Sequence, residues 1–224
     1  MIDASPATTV ELGGESDVVE STTTTTEPID PELLVELPVN PDVRIGTLDN
    51  GLTFYVRFND SPGQRVELRL VVDAGSVVEA EDQSGVAHLL EHMMFNGTEK
   101  YPKNGLITVL ESFGPQFAPD INAYTSFDET VYELSVPTDD PEIFVEAMDV
   151  LVQWASHASL RQEDVEDERG VVVEEWRLRD QGLSGRENAA FGKLILADTP
   201  YEGHLPMGDV DSISAMAAEP LRRF

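Results

Sequence analysis

Between Val66 and Gly97 the hydrophobic period switches from two residues to a helical one, and this switch constrains the fold more than any other feature of the chain. "VELRLVVDAG" alternates, with Val66, Leu68, Leu70 and Val72 on one face before a stop at Gly75, the pattern of a strand buried on one side. "SGVAHLLEHMMFNG" and "NGLITVLESFG" then follow at helical spacing, closed by Asn96-Gly97 and by Gly114. An apolar strand face has to be covered, and helices serve to cover it.

The remaining segments extend the same plan. "VRIGTLDNGLTFYVRF" carries Asn50-Gly51 between two β-prone runs, a strong hairpin signal. "INAYTSFDETVYELSVP" is β-prone, with Val131, Leu134 and Val136 in its second half. "DDPEIFVEAMDVLVQWASH" places Pro141 at a first helical position and predicts one apolar stripe of Phe144, Met148, Leu151 and Ala155. "RQEDVEDERGVVVEEWRLRDQG" and "RENAAFGKLILAD" read as further helices, the former despite its three valines, because a strand would leave long charged flanks unexplained. The order β-β-β-α-α-β-β-α-α-α predicts an α+β fold, an antiparallel or mixed sheet with helices packed on one face.

Residues 1–40 include "STTTTTEPIDPE" and are poor in large apolar side chains, so they are expected to form a disordered or extended tail, leaving 41–224 as the folded domain. Fourteen Lys and Arg against 43 Asp and Glu give a formal net charge of −29, which repels nucleic-acid phosphate and anionic lipid. With no cysteine there is no disulfide framework and no thiolate nucleophile. No run reaches the roughly 18 apolar residues of a membrane span, and the opening residues lack the basic and apolar regions of an export signal.

Chemistry concentrates in "HLLEHMMF". On a helix His88 and His92 lie one turn apart on one face and can aim two imidazoles at a single ion. Glu91 sits one residue off that line, placed to take a proton from a water activated by the metal and return it to a leaving amine. The spacing inverts the His-Glu-x-x-His of commoner zinc peptidases. A catalytic zinc takes three protein ligands and leaves a position open. "VEDERGVVVEEWRL" offers Glu168, Glu174 and Glu175. Glu168 and Glu175 are seven apart on one helical stripe, with Val171 and Val172 between them, whereas Glu174 points about 100° from Glu175. One of the in-line pair should meet the ion and the other orient a histidine from behind; spacing alone does not choose between them. His157, at a helix end, and His204, in a Pro/Gly loop, are expected to be structural. No Gly-x-Ser-x-Gly elbow and no phosphate-binding loop is present.

Taken together, "LDNGLTFYVR", "VELRLVVDAGSVVE", "GVAHLLEHMMFNGT", "NAYTSFDETVYELSVPTDDPE", "ERGVVVEEWR" and "LPMGDVDSI" resemble the pitrilysin or insulinase family of zinc peptidases over residues 46–224. The resemblance is nearest to bacterial zinc proteases of that family. It implies Zn²⁺ bound by His88, His92 and Glu175, with Glu91 as base, Glu168 as support and Glu174 as the fallback ligand. It implies an extended peptide adding to the edge of the strand at Asn122, Ala123 and Tyr124, a mode that tolerates many sequences. It also implies a second, similarly folded domain or subunit, which makes this chain an incomplete catalytic domain truncated at its C-terminus. The expected function is a zinc endopeptidase acting on extended peptides or unfolded segments; the alternative is a non-catalytic, peptide-binding or scaffold relative. The expected location is bacterial and periplasmic or secreted, with the cytoplasm as alternative.

Overall fold

The structure, a computed structural model, describes residues 38–61, 63–103, 105–112, 114, 120–180 and 182–224. Of the expected tail, residues 1–37 lie outside the described residues. The described residues fall into two compact units, divided between Phe58 and Asn59.

In the first unit β1 (Val43–Thr47) and β2 (Thr53–Arg57) pair antiparallel, Thr47 opposite Thr53. The Leu48 N–H donates to the Leu52 carbonyl at 2.8 Å, closing a three-residue loop in which Gly51 takes φ 90°. A hairpin of this length needs one left-handed residue, and glycine supplies it without steric cost.

In the second unit β3 (Arg65–Val72), β5 (Thr130–Pro137) and β4 (Ile121–Thr125) form an antiparallel sheet in that order, with β5 central. The register sets Leu68 opposite Leu134, and Leu134 opposite Ile121. Tyr132, Leu134, Val136 and Ile121 are buried, and Val66, Leu68, Leu70 and Ala123 pack against the same cluster. α2 (Gly105–Ser112) and α3 (Pro141–Ser156) cover this face through Leu106, Leu110, Ala147, Val150 and Trp154. On the opposite face Arg69 pairs with Glu133 across the strands and Ser135 bonds Arg65 and Glu67, beside the apolar pair Val71 and Val131. The fold is therefore α+β, with an antiparallel sheet and helices on one face.

A second cluster lies between α1 (Val86–Asn96), α4 (Gln162–Asp180), α6 (Val210–Ala215) and α7 (Ala218–Arg223), built on Val86, Leu89, Met93, Val165, Val172, Ile213 and Leu221. α5 (Leu183–Ile195) follows α4.

Three sequence expectations need correction. Val72 shares the Val66, Leu68 and Leu70 face of β3 but lies outside the cluster those residues pack against and is 40% exposed. On α3 the buried positions are Ala147, Val150, Gln153 and Trp154; Phe144 and Met148 stand about two-fifths exposed and Ala155 is exposed, with only Leu151 of the expected stripe packed inward. Several faces of α3 are apolar, and the side that turned inward is the one whose Trp154 indole N–H reaches the Met94 carbonyl at 3.1 Å. On α4 Val172 is fully buried but Val171 is 53% exposed, so only one of the two valines belongs to the inward stripe. The start of α3 is as expected: Asp140 accepts the Glu142 N–H and Pro141 occupies the first turn.

Candidate metal centre

Helix α1 carries two adjoining stripes. Val86, Leu89 and Met93, at i, i+3 and i+7, are fully buried against α4, α6 and α7. Beside them His88, His92 and Asn96, at i, i+4 and i+8, face α4. On α4 burial of Val165 and Val172 turns Glu168 and Glu175 toward that stripe. His88 meets Glu175, His92 meets both glutamates, and Asn96 meets Glu168, so the two helices run antiparallel along the seam.

Glu175 Oε2 lies 3.7 Å from His88 Nε2 and 3.2 Å from His92 Nε2. A tetrahedral zinc with bonds of about 2.0–2.1 Å has ligand-to-ligand edges of about 3.3 Å, and the two observed distances bracket that value. One ligand atom from each of the three residues falls within 4.8 Å of the others, and this is the group among the described residues that could hold an ion. The donor set, two imidazoles and one carboxylate, is one that catalytic zinc uses.

The electrostatics point the same way. Burial pushes the His88 imidazole down to about pKa 4, helped by the neighbouring His92, so it is neutral and has a lone pair to give. Its Nδ1 is buried without a hydrogen-bond partner among the described residues. At His92 burial also acts downward, but the bonds to Glu168 and Glu175 outweigh it and raise the ring to about 9. The bond to His92 holds Glu175 down at about 2, against the effect of burial. Two imidazoles facing two carboxylates in a half-buried seam thus retain a positive charge, as a proton here or as a cation in its place.

Glu91, 8% exposed, lies on α1 beside this stripe and turns toward the sheet. Its Oε2 accepts the Thr125 hydroxyl at 2.6 Å. Burial raises its carboxyl above the ordinary range, and the Thr125 bond partly offsets this. Thr125 ends β4, an edge strand of the described sheet, which also carries Asn122, Ala123 and Tyr124. Ala123 packs on the helix-covered face, while Tyr124, 45% exposed, bonds Glu129 at 3.2 Å.

Glu174 is not brought to the cluster: its side chain is 64% exposed and pairs with Arg177. His204 Nδ1 lies 2.9 Å from the Ser76 carbonyl, and the His157 ring bonds Ser156 at 2.9 Å.

Sequence reasoning missed four residues around the cluster. Asn96 donates to Glu168 Oε2 at 3.1 Å, and its place eight residues after His88 on one stripe was the available signal. Arg179 donates to Glu175 Oε1 at 3.2 Å, four residues on. Thr125 closes the "NAYT" segment to which the resemblance assigns substrate binding, but nothing local marked it as the partner of Glu91. Nor did anything local mark Glu79, whose two oxygens accept the Gly85 and Ala87 N–H groups at 2.9 Å each and cap α1, since its N-cap Gly85 has no side chain. Gly85 takes φ 85°, and a Cβ there would come within 2.9 Å of Ile213, so the helix start is packed too closely for a side chain of its own.

Comparison with known proteins adds the following. Residues 55–194 match the family described as Insulinase (Peptidase family M16). The chain is 42% identical over 190 residues to the probable zinc protease PqqL of Haemophilus influenzae, covering 84% of this chain and 20% of that protein. The crystal structure of the periplasmic protease PqqL from Escherichia coli matches with a TM-score of 0.81 at 38% identity, over 85% of this chain and 21% of that one. The ferredoxin protease FusC, solved with Arabidopsis ferredoxin, matches with a TM-score of 0.74 at 33% identity, over 81% of this chain and 20% of that one. The chain thus spans about a fifth of the length of these relatives.

Proposed function

Because this chain belongs to the insulinase family, peptidase family M16, we propose that it forms the zinc site of an endopeptidase that hydrolyses peptide bonds in extended peptides or unfolded segments. The observation that carries this reading is the convergence of His88 Nε2, His92 Nε2 and Glu175 Oε2 beside a buried Glu91. His88, His92 and Glu175 would hold the ion, and Glu168 would fix the ring of His92 from its Nδ1 side. A bound zinc supplies Lewis acidity, lowering the pKa of an attacking water and polarising the scissile carbonyl.

The chain's own residues do the rest. Glu91, kept basic by burial, takes a proton from the attacking water and passes it to the leaving amine nitrogen. Thr125 holds the carboxylate through Oε2. The outer edge of β4, at Asn122, Ala123 and Tyr124, has no strand partner among the described residues, and an extended peptide can pair with it through main-chain hydrogen bonds. A second homologous domain or subunit would complete closure over the peptide. The periplasmic relative supports a bacterial periplasmic location.

Metal analysis of the chain purified without a His tag tests the reading, with about one zinc per chain expected and none after His88→Ala. In the full-length protein Glu91→Gln should retain zinc and abolish cleavage of an unfolded substrate. Cleavage at the parent rate would remove Glu91 from the role of base.

A further inference from the structure

Each glutamate of the seam uses one oxygen toward a histidine and has the other held by a donor. Glu175 turns Oε2 to the imidazoles while Arg179 takes Oε1; Glu168 turns Oε1 to His92 while Asn96 takes Oε2. The two donors differ in setting. Arg179 is a long, 63% exposed side chain on the same helix as its partner, a geometry in which an ion pair contributes little. Asn96 is 8% exposed and reaches across from α1 to α4, to a carboxylate whose side chain is itself 17% exposed.

Asn96 is the last residue of α1, where a polar side chain often bonds its own helix end. Here that duty falls to the Gly97 N–H, which reaches the Met93 carbonyl, and the Asn96 amide is directed to Glu168 instead. A carboxylate is an acceptor only, so the NH₂ end of Asn96 must face it. With Oε2 fixed, the Glu168 carboxylate cannot turn freely, and Oε1 stays 3.0 Å from His92 Nδ1. When the ring is neutral, that contact keeps its one proton on Nδ1 and leaves the lone pair on Nε2, the atom nearest Glu175 Oε2.

We propose that Asn96 is a positioning residue of the metal centre, acting through Glu168 to fix the tautomer and orientation of His92. The proposal rests on the zinc-site reading above. It assigns to this asparagine a share of metal affinity that neither its distance from the ion nor the histidine spacing suggests.

The test is a double-mutant cycle on zinc affinity, measured by chelator competition on the 224-residue chain, with circular dichroism and thermal melts to confirm folding. Asn96→Ala should weaken zinc binding about tenfold, the low end for partners that orient a liganding histidine. Asn96→Ser, which keeps a small polar helix end, should show the same direction. In a Glu168→Ala background Asn96→Ala should cost nothing further. Spectroscopically, the His92 Nδ1–H resonance of the zinc-loaded chain should move on Asn96→Ala while that of His88 stays in place. Unchanged affinity in both Asn96 variants, or an equal loss with and without Glu168, overturns the proposal. If the parent chain takes up no zinc, the zinc-site reading fails and this inference falls with it; if the parent binds and the variants bind equally, this inference alone fails.

Discussion

Thr125 donates its hydroxyl hydrogen to Glu91 Oε2 across 2.6 Å, joining the last residue of an edge strand to the buried carboxylate of the helix that carries His88 and His92. The bond holds Glu91 in place and stabilises its ionised form against burial. Thr125→Val keeps the shape and removes the donor. In the full-length protein it should lower kcat about tenfold, the worth of one hydrogen bond to a charged group, with little change in KM. Without this bond the Glu91 carboxyl rises further, so the acid limb of the pH–rate profile should move to higher pH. Thr125→Ser should restore both, and a parent-like profile in Thr125→Val would show that the bond does not act on Glu91.

Glu174 and Glu175 are chain neighbours with opposite environments, one paired with Arg177 in solvent and the other between two imidazoles. Glu175→Gln should weaken zinc binding by two orders of magnitude or more, since it removes the charge of the proposed carboxylate ligand. Glu174→Gln should change it by less than about threefold. Isothermal titration of both variants decides the matter, and similar losses in the two would displace Glu175 as ligand.

As a proposed ligand, His92 would take up either zinc or a proton at Nε2. Its ring is held at about 9 without metal, whereas that of His88 lies at about 4 and is already free. Apparent zinc affinity should therefore fall about tenfold per unit as pH drops from 9 toward 7. The metal-free chain should show the matching linkage. A folded-state pKa raised from 6.5 to about 9 contributes stability that is complete below 6.5 and lost as pH rises through 9. The urea midpoint in EDTA should thus decrease between pH 7 and 9, and His92→Gln should flatten the decrease.

Glu79 caps α1 from outside the helix. Glu79→Ala leaves two amide groups at the start of the helix that carries His88 and His92 without acceptors and should cost about 1–2 kcal/mol of stability. Burial raises its carboxyl to about 7 against the pull of those amides. A carboxyl raised from 4.5 contributes stability that is present below 4.5 and lost as pH rises through 7. Glu79→Gln should accordingly flatten the fall in stability between pH 5 and 7, as read from denaturant midpoints. A Glu79→Ala chain that melts with the parent would show the cap to be dispensable.

What could be read before folding is what depends on neighbours in sequence. The alternation of Val66, Leu68 and Leu70, the Asp140-Pro141 helix start, the Gly51 turn and the one-turn spacing of His88 and His92 are all local, because strand pleat, capping bonds and helical pitch act over a few residues. The short helix α6 went unread, since six residues carry too little periodicity to register. On α3 the sequence left more than one apolar face, and packing against the sheet selected Ala147, Val150 and Trp154 over Phe144 and Met148. The candidate site divides in the same way. Composition and spacing determined that two imidazoles and a neighbouring carboxylate share one helix. The seven-residue spacing already set Glu168 and Glu175 on one stripe and Glu174 off it; only the tertiary structure decided that this stripe, 76 residues from His92 at Glu168, meets the histidines, and that Asn96 and Thr125 hold the carboxylates. The physical reason is range: helical pitch fixes which acids share a face over a few residues, whereas burying Val165 and Val172 against α1 rotates α4 to the one setting that turns this face to the histidines.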